Sequence, residues 1–490
     1  MQAQATVFSA ISPLQGSRRR RVETRIQAVG RALLGRPFGA EESKGGNTMI
    51  DEPRKFGRRE FISTTAAVGL TIIKPQLVRG TAANSSVRVG LLGCGGRGTA
   101  VATALSQYPN ARYVALADLF SDQLDRAKRY FDGIAARKGY AAIDPKLMFK
   151  GPKAFEAIAE CDQIDAVHIA TPDIFHPEHL SAVVGAGKHC YCEKPTGVDV
   201  RGAKRIEELG KKAEGRLSLD IGFQIRCAPP YVEMVKRIHA GAIGKIAQAS
   251  TYYHATTLNY PPRRADITPL ELRIRNFYWD RVISGDIIVD QSLHVIDICN
   301  WVLKNHPIKA VGTGGRKIRD DWGNIWDHFD VIFTYPDNAR VSLNHTQFGN
   351  ALWDVGERFL GSRGVAESHY SGVVGIYGDE PWSWDGGGTP VSPSTNIYAL
   401  RSKNTADQAA GKFHGALDEA DPEKTKAFVE SILSGKFHNQ AAQGAESTLS
   451  AILGRTAAYL GREVTWDELL ASDQYYDPEL EGLDLSGLGG

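Results

Sequence analysis

Asp290, His294 and Asp297 stand at i, i+4 and i+7 within SGDIIVDQSLHVIDICNW, residues 284–301. From about Asp290 onward the stretch is apolar around most of a helical circumference, which predicts a buried helix. The three polar residues then share one face of it. A buried carboxylate or imidazole must find partners or change its protonation, so the stripe is either a satisfied structural network or a working site. Polar pairs at this spacing are common on helices, and taken alone the stripe favours the structural reading. Two distant stretches alter that balance. Thr171-Pro172-Asp173-Ile174-Phe175-His176 and Glu193-Lys194-Pro195 each follow a short apolar run that reads as a strand. Proline biases Lys194 toward extended backbone, which carries its side chain past the strand end.

The apolar run 87–92 is followed at once by Gly93-Cys94-Gly95-Gly96-Arg97-Gly98 and then by a helix from about Thr99 to Ser106. In G-x-G-x-x-G the first glycine makes a tight turn, the second lets backbone approach a pyrophosphate, and the third permits close helix packing. Amides at the helix N-terminus hold phosphates. A second strand, 113–117, ends in Asp118, placed to accept the adenosine ribose hydroxyls and to repel a 2′-phosphate, which favours NAD over NADP. The alternative for Asp118 is a helix cap. Helix 121–137, strand 165–170, helix 177–186, strand 188–192, helix 198–214 and strand 217–221 continue the alternation, which implies a parallel sheet covered on both faces. Ligands of such sheets bind beyond the carboxyl ends of the strands, where the Thr171 and Lys194 segments lie.

A chain of 490 residues exceeds one ordinary core. Its net charge of +2 sums two unlike parts: residues 1–59 carry 12 Lys and Arg against 5 Asp and Glu, leaving 46 against 51 for the mildly acidic remainder. That remainder offers no nucleic-acid surface. Gly57-Arg58-Arg59-Glu60-Phe61-Ile62, the apolar run 63–73 and the small residues up to Ala83 have the plan of a twin-arginine export signal. The run is shorter than the roughly 20 residues that span a bilayer and is closed by Lys74, so cleavage is expected near Ala82 or Ala83 rather than a stable membrane anchor. Twin arginines normally lie near the start of such a signal, so the initiator is either Met1 or Met49. The six cysteines do not form the dense pattern of a disulfide framework. His189-Cys190-Tyr191-Cys192 resembles a metal cluster only superficially, since Cys190 and Cys192 share one face of a strand.

In order and approximate spacing, Gly93 to Gly98, the Thr171-Pro172 segment ending in His176, Glu193-Lys194-Pro195 and Asp290-x-x-x-His294-x-x-Asp297 resemble the glucose-fructose oxidoreductase, inositol dehydrogenase and rhizopine-catabolism (Gfo/Idh/MocA) family over about residues 86–466. The resemblance implies an α/β chain: an N-terminal Rossmann dinucleotide-binding domain (84–222) after an extension and signal (1–83), then a C-terminal α+β substrate and oligomerisation domain with an open, largely antiparallel sheet (223–471), and a loosely held tail (472–490). It implies NAD as cofactor, a carbohydrate substrate, a homo-oligomer (dimer or tetramer) and no metal. Cofactor contacts fall to Gly93, Gly95, Gly96, Arg97, Gly98, Asp118, Thr171, Pro172, His176, Glu193 and Lys194, and catalysis to Lys194, His294 and Asp290. Asp173 and Gln224 stand where Asn is frequent in the family, and Ser284-Gly285-Asp286 where a glycine pair often precedes the catalytic helix.

Strand-like runs at 246–254, 329–335, 340–345 and 365–369 fit the second sheet, and 422–433 and 444–460 read as amphipathic helices. Tyr252, Tyr253, Phe277, Tyr278, Trp279, Trp322 and Trp326 are core residues or a sugar-binding platform. Residues 382–388, WSWDGGG, read as an exposed loop. The expected chemistry is hydride transfer between a sugar or polyol carbinol and tightly bound NAD in an exported, periplasmic enzyme. His294 or Lys194 takes the hydroxyl proton, Asp290 orients substrate or His294, and Asp297 fixes the helix. The alternatives are an NAD-dependent glycosidase using transient ring oxidation and a non-catalytic sugar sensor. An intact Lys194, Asp290 and His294 count against the sensor.

Overall fold

Short apolar runs that end in glycine or proline produce the first sheet. The computed structural model describes residues 86–256, 267–319, 323–348, 353–370, 373–384 and 417–480; the export signal, Trp322, the 385–388 part of the WSWDGGG loop and the tail beyond 480 lie outside these. β1 (Val87–Leu92), α1 (Gly96–Gln107), β2 (Ala111–Asp118), α2 (Ser121–Arg137), β3 (Met148–Lys150), α3 (Ala154–Glu160), β4 (Ala166–Ile169), α4 (His176–Gly185), β5 (His189–Cys192), α5 (Val200–Ala213) and β6 (Leu219–Ile221) alternate along the chain. The six strands lie in the order β3-β2-β1-β4-β5-β6. All five pairings are parallel. Val89, Leu91, Val167 and Ile169 are fully buried, as expected of strands covered on both faces. Two elements were not legible: β3 is three residues long, and α3 follows it directly.

α6 (Pro229–His239) leads to β7 (Ile246–Ala255) and then to α7 (Pro269–Arg275), α8 (Arg281–Ser284), α9 (Ile287–Asp290) and α10 (Leu293–Leu303). β8 (Lys309–Gly315), β9 (His328–Thr334), β10 (Arg340–Gln347), β11 (Asp354–Gly361), β12 (Gly364–His369), β13 (Val374–Gly378) and β14 (Trp382–Ser383) follow, then α11 (Ala420–Ser434), α12 (Ala441–Leu460), β15 (Val464–Thr465) and α13 (Trp466–Ala471). The second sheet has nine strands in the order β14-β13-β12-β11-β7-β10-β9-β8-β15. β7 and β10 pair in parallel, and the remaining neighbours are antiparallel.

Three expectations change in the folded chain. The helix expected from Asp290 onward is two helices: α9 ends at Asp290, Gln291 departs to φ −102° and ψ −57°, and α10 begins at Leu293. Residues after 417 return to the first sheet. Phe428 and Val429 of α11 pack in one cluster with Val89, Leu91 and Tyr191, and Thr448 of α12 accepts a hydrogen bond from the Thr196 amide at 3.1 Å. The segment 473–480, expected to be loose, is fastened to the body: the Tyr476 amide donates to Asp199 Oδ2 at 2.7 Å and Arg273 Nη1 to the Pro478 carbonyl at 2.6 Å. All six cysteines are free thiols, and Cys190 and Cys192 are buried in the core.

Candidate functional site

The loop between β1 and α1 shows why its residues are glycines. Gly93 has φ +95°, and a Cβ there would come within 2.5 Å of the Ala170 carbonyl oxygen. A Cβ on Gly98 would lie 2.1 Å from the Gly93 carbonyl, so the helix packs against the loop through bare backbone. Gly95 is different, because a Cβ there would meet no protein atom within 4 Å. What its bareness keeps clear is the adjoining cavity. Gly95 is the N-cap of α1 and no side chain caps the first turn, which leaves helix amides for an anion. This bare, amide-rich cradle fits a dinucleotide pyrophosphate.

Gly93, Gly95 and Asp118 line a groove of about 780 Å³ that also runs past Phe120, Thr171 and Pro172. Asp118 accepts from the Cys94 amide at 2.7 Å and the Phe120 amide at 2.9 Å. Burial raises its carboxyl above the ordinary value, and the two amides pull the other way. It braces the glycine loop as well as facing the groove.

A second cavity of about 300 Å³ adjoins the first, sharing Gly95, Thr171, Arg275 and Phe277 with it. Gly96, Arg97, His176, Glu193, Lys194, Asp290 and His294 all line it. Three segments distant in sequence therefore converge, as ligand sites at strand ends require. Lys194 Nζ donates to the Asp290 carbonyl at 2.6 Å and to Asp290 Oδ1 at 3.2 Å. The His294 imidazole is held well below its ordinary pKa by burial, with Lys194 and Arg97 adding to the effect. It is therefore neutral near pH 7 and able to accept a proton.

Arg97 and His176 have duties besides lining the cavity. Arg97 donates to Glu193 Oε1 at 3.0 Å and grips both oxygens of Asp421 at 2.8 Å, tying α1 to the end of β5 and the start of α11. The nitrogens of His176 face the Pro195 carbonyl at 2.7 Å and the Thr171 carbonyl at 2.8 Å. His176 thus fastens the two strand-end loops together, which makes it a positioning residue.

The break at Gln291 separates the polar stripe. Asp290 and His294 face the cavity, whereas Asp297 receives a two-pronged ion pair from Arg226, both contacts at 2.8 Å, and a hydrogen bond from Ser447 Oγ at 2.7 Å. Removing one partner of such a buried pair costs about 3–5 kcal/mol, so Asp297 holds the helix in place. The residues before α9 are organised by Asp286, whose φ of +72° is one that glycine adopts without cost. Its carboxylate accepts from the Ile287 and Trp326 amides and from the Tyr459 hydroxyl, which offsets the strain.

Asp173, which stands where Asn is frequent in the family, has a tertiary setting that the sequence does not reveal. It lines the second cavity together with Asp290. Burial and the Asp290 charge push the Asp173 carboxyl well up, while Lys194 opposes them. Tyr253, Phe277 and Tyr278 line this cavity, as do Gln224 and Gln291. Trp279 instead sits beneath the Arg319 guanidinium at 3.6 Å, and Trp326 packs on Phe329 and Tyr459, so the aromatics divide between site and core. Among the described residues no group of three or more His, Cys, Asp or Glu is placed to hold a metal ion.

A parallel sheet of Rossmann order with its glycine loop and strand-end lysine, joined to an open mixed sheet, defines an NAD-binding oxidoreductase acting on CH–OH groups. Residues 87–221 match the oxidoreductase family with an NAD-binding Rossmann fold, and residues 231–367 match the GFO/IDH/MocA C-terminal domain; the chain belongs to the Gfo/Idh/MocA family. It is 26% identical to the inositol 2-dehydrogenase of Rubrobacter xylanophilus, over 57% of this chain and 71% of that one. It is 25% identical to the myo-inositol 2-dehydrogenase of Thermotoga maritima, over 76% of this chain and 95% of that one. The structure of scyllo-inositol dehydrogenase from Lactobacillus casei with bound NAD(H) and scyllo-inositol superposes with a TM-score of 0.56 at 20% identity, covering 78% of this chain and 99% of that one, a likeness of fold.

Proposed function

We propose that the protein oxidises or reduces a ring or chain carbinol of a polyol, cyclitol or sugar at the smaller cavity. The observation that carries this reading is the meeting of Lys194, Asp290 and His294 in one cavity continuous with the dinucleotide groove. NAD, when bound, accepts or returns the hydride. His294, kept neutral by burial, takes the hydroxyl proton. Lys194 has three donors, two of them spent on Asp290, and the third is available to hold the substrate oxygen and stabilise its developing charge. Tyr253 and Tyr278 supply aromatic faces against which a ring can lie. Relatives named inositol dehydrogenases support a cyclitol among the candidates.

The twin-arginine segment supports export of a folded, cofactor-loaded chain. Free dinucleotide is scarce outside the inner membrane, so an exported enzyme has to keep its NAD and regenerate it in place. One experiment tests both parts: protein purified from the exported fraction is denatured and its released nucleotide assayed, and native protein is incubated with inositols, sugars and aryl glycosides. Bound NAD(H) with substrate-dependent change in nicotinamide absorbance is expected. Aglycone release without net redox change would replace the dehydrogenase reading by a glycosidase. Protein found only in the cytoplasm would remove the export reading.

A further inference from the structure

The groove that holds Gly95 and Asp118 has a wall that the two sheets do not supply. Tyr475, Tyr476, Asp477, Pro478 and Leu480 line it, opposite the glycine loop in sequence by nearly the whole chain. These residues follow the last helix, and their position is set by contacts on several sides. Arg201 Nε donates to Asp473 Oδ2 at 2.8 Å, and the Arg201 amide donates to the Gln474 carbonyl at 3.1 Å. Buried Arg455 donates through Nη2 to Gln474 Oε1 at 2.7 Å while its Nη1 holds the carbonyls of Val198 and Gly285, and its guanidinium lies 4.7 Å from the Tyr476 ring. The Tyr476 amide is bound by Asp199, which also caps α5. At the far end Leu480 packs with Phe120 and Ile274. Phe120 stands two residues beyond Asp118, the ribose-facing carboxylate.

From this geometry we infer that residues 474–480 are part of the dinucleotide site and close the groove over the cofactor. The inference rests on the reading of the groove as the NAD site and deepens it. A strap anchored at Asp199, Arg201, Arg273 and Arg455 leaves the adenosine end bordered by Phe120, Ile274 and Leu480, so a bound dinucleotide leaves only when the strap lifts. Because a barrier of this kind acts chiefly on departure, it lengthens residence more than it speeds capture. It also joins retention of cofactor to the catalytic half, since Arg455 touches the strap and the Gly285 carbonyl in front of α9.

The test uses the full chain and a version ending at Ser472, each loaded with NADH, with dissociation followed by stopped-flow fluorescence against excess NAD. The shortened chain is expected to release NADH at least roughly tenfold faster, with a smaller change in the association rate. Equal release rates would overturn the strap while leaving the groove as the NAD site, whereas a full chain that does not bind NADH would overturn both. Because removal of the strap could also disturb folding, amide hydrogen exchange of residues 474–480 is measured in the intact protein with and without saturating NAD. Slower exchange with NAD supports the inference, and exchange indifferent to NAD overturns it.

Discussion

Lys194 Nζ lies 2.6 Å from the main-chain carbonyl of Asp290 and 3.2 Å from its carboxylate, so one ammonium joins the end of β5 to the end of α9. The contact to main chain holds the lysine independently of the Asp290 carboxylate, and it brings the first sheet's strand end to the helices that lie between β7 and β8 of the second sheet. Removing the ammonium should therefore affect chemistry more than nucleotide binding, whose glycine loop lies on β1 and α1. Lys194→Ala and His294→Ala are each expected to lower turnover by roughly 100-fold or more, with NADH affinity close to that of the parent. Steady-state rates and a fluorescence titration decide it: near-normal turnover in either variant removes that residue from the mechanism.

Asp118 carries a second prediction. Its carboxylate is gripped by the Cys94 and Phe120 amides, so it presents negative charge where the ribose hydroxyls are expected while stiffening the glycine loop. Serine retains a hydroxyl but removes the charge. Asp118→Ser should weaken NAD binding by about 1.5 kcal/mol, roughly tenfold, and narrow the preference for NAD over NADP. An unchanged preference ratio would show that another group excludes the 2′-phosphate.

Much of the first sheet was legible because its strands are short, mostly apolar runs closed by a glycine, a proline or, in β2, Asp118, and α2 is found at the bounds its amphipathic pattern gave, Ser121–Arg137. β3 was not, since three residues carry no periodicity. In the second sheet, β8 (KAVGTGG), β11 (DVGERFLG) and β13 (VGIYG) were missed because glycines interrupt the alternation that marks a strand. At the site, the types and order of Lys194, Asp290 and His294 could be read, but the break between α9 and α10 could not, because apolar residues continue through it. Nor could the strap: its anchors Asp199 and Arg201 lie 277 and 272 residues from their partners in sequence and, like Arg455, are indistinguishable from surface charges until folded. Asp173 was visible only as an unusual residue at its position; its partnership with Asp290 is purely tertiary.

That partnership predicts a pH effect. Asp173 is neutral while its carboxyl stays protonated, a state favoured by burial and by the Asp290 charge. As pH rises through its elevated pKa, a second negative charge appears beside Asp290. An asparagine amide at that position stays uncharged at every pH. Asp173→Asn should therefore keep substantial activity near neutrality and lose less of its kcat/KM than the parent as pH rises. Superimposable pH profiles for the parent and Asp173→Asn would mean that ionisation of Asp173 does not limit the reaction.

Stability depends on a cluster of the second sheet none of whose members lines the cavity. His369 Nε2 contacts Glu367 Oε1 at 2.9 Å, its Nδ1 lies 3.4 Å from Asp354 Oδ1 and 2.9 Å from the Tyr252 hydroxyl, and Arg358 also reaches Glu367 at 2.6 Å. Burial opposes charge on His369, but Asp354 and Glu367 outweigh it and raise the imidazole from 6.5 to about 9. The bond from His369 and the Arg358 guanidinium, against burial, lower Glu367 from 4.5 to about 2. A histidine raised on folding stabilises fully below its unfolded value of 6.5 and loses that contribution as pH climbs through about 9. A glutamate lowered on folding stabilises fully above 4.5 and loses that contribution as pH falls through about 2. Both contributions are complete only between 4.5 and 6.5. His369→Gln, which keeps a polar side chain but cannot be charged, should lower Tm most in that window, and the gap from the parent should close steadily toward pH 9. Thermal unfolding of the two proteins at half-unit steps from pH 5 to about pH 9.5 measures this directly. A gap that stays constant across the range would mean that His369 is uncharged in the folded protein and that Asp354 and Glu367 are balanced by Arg358 alone.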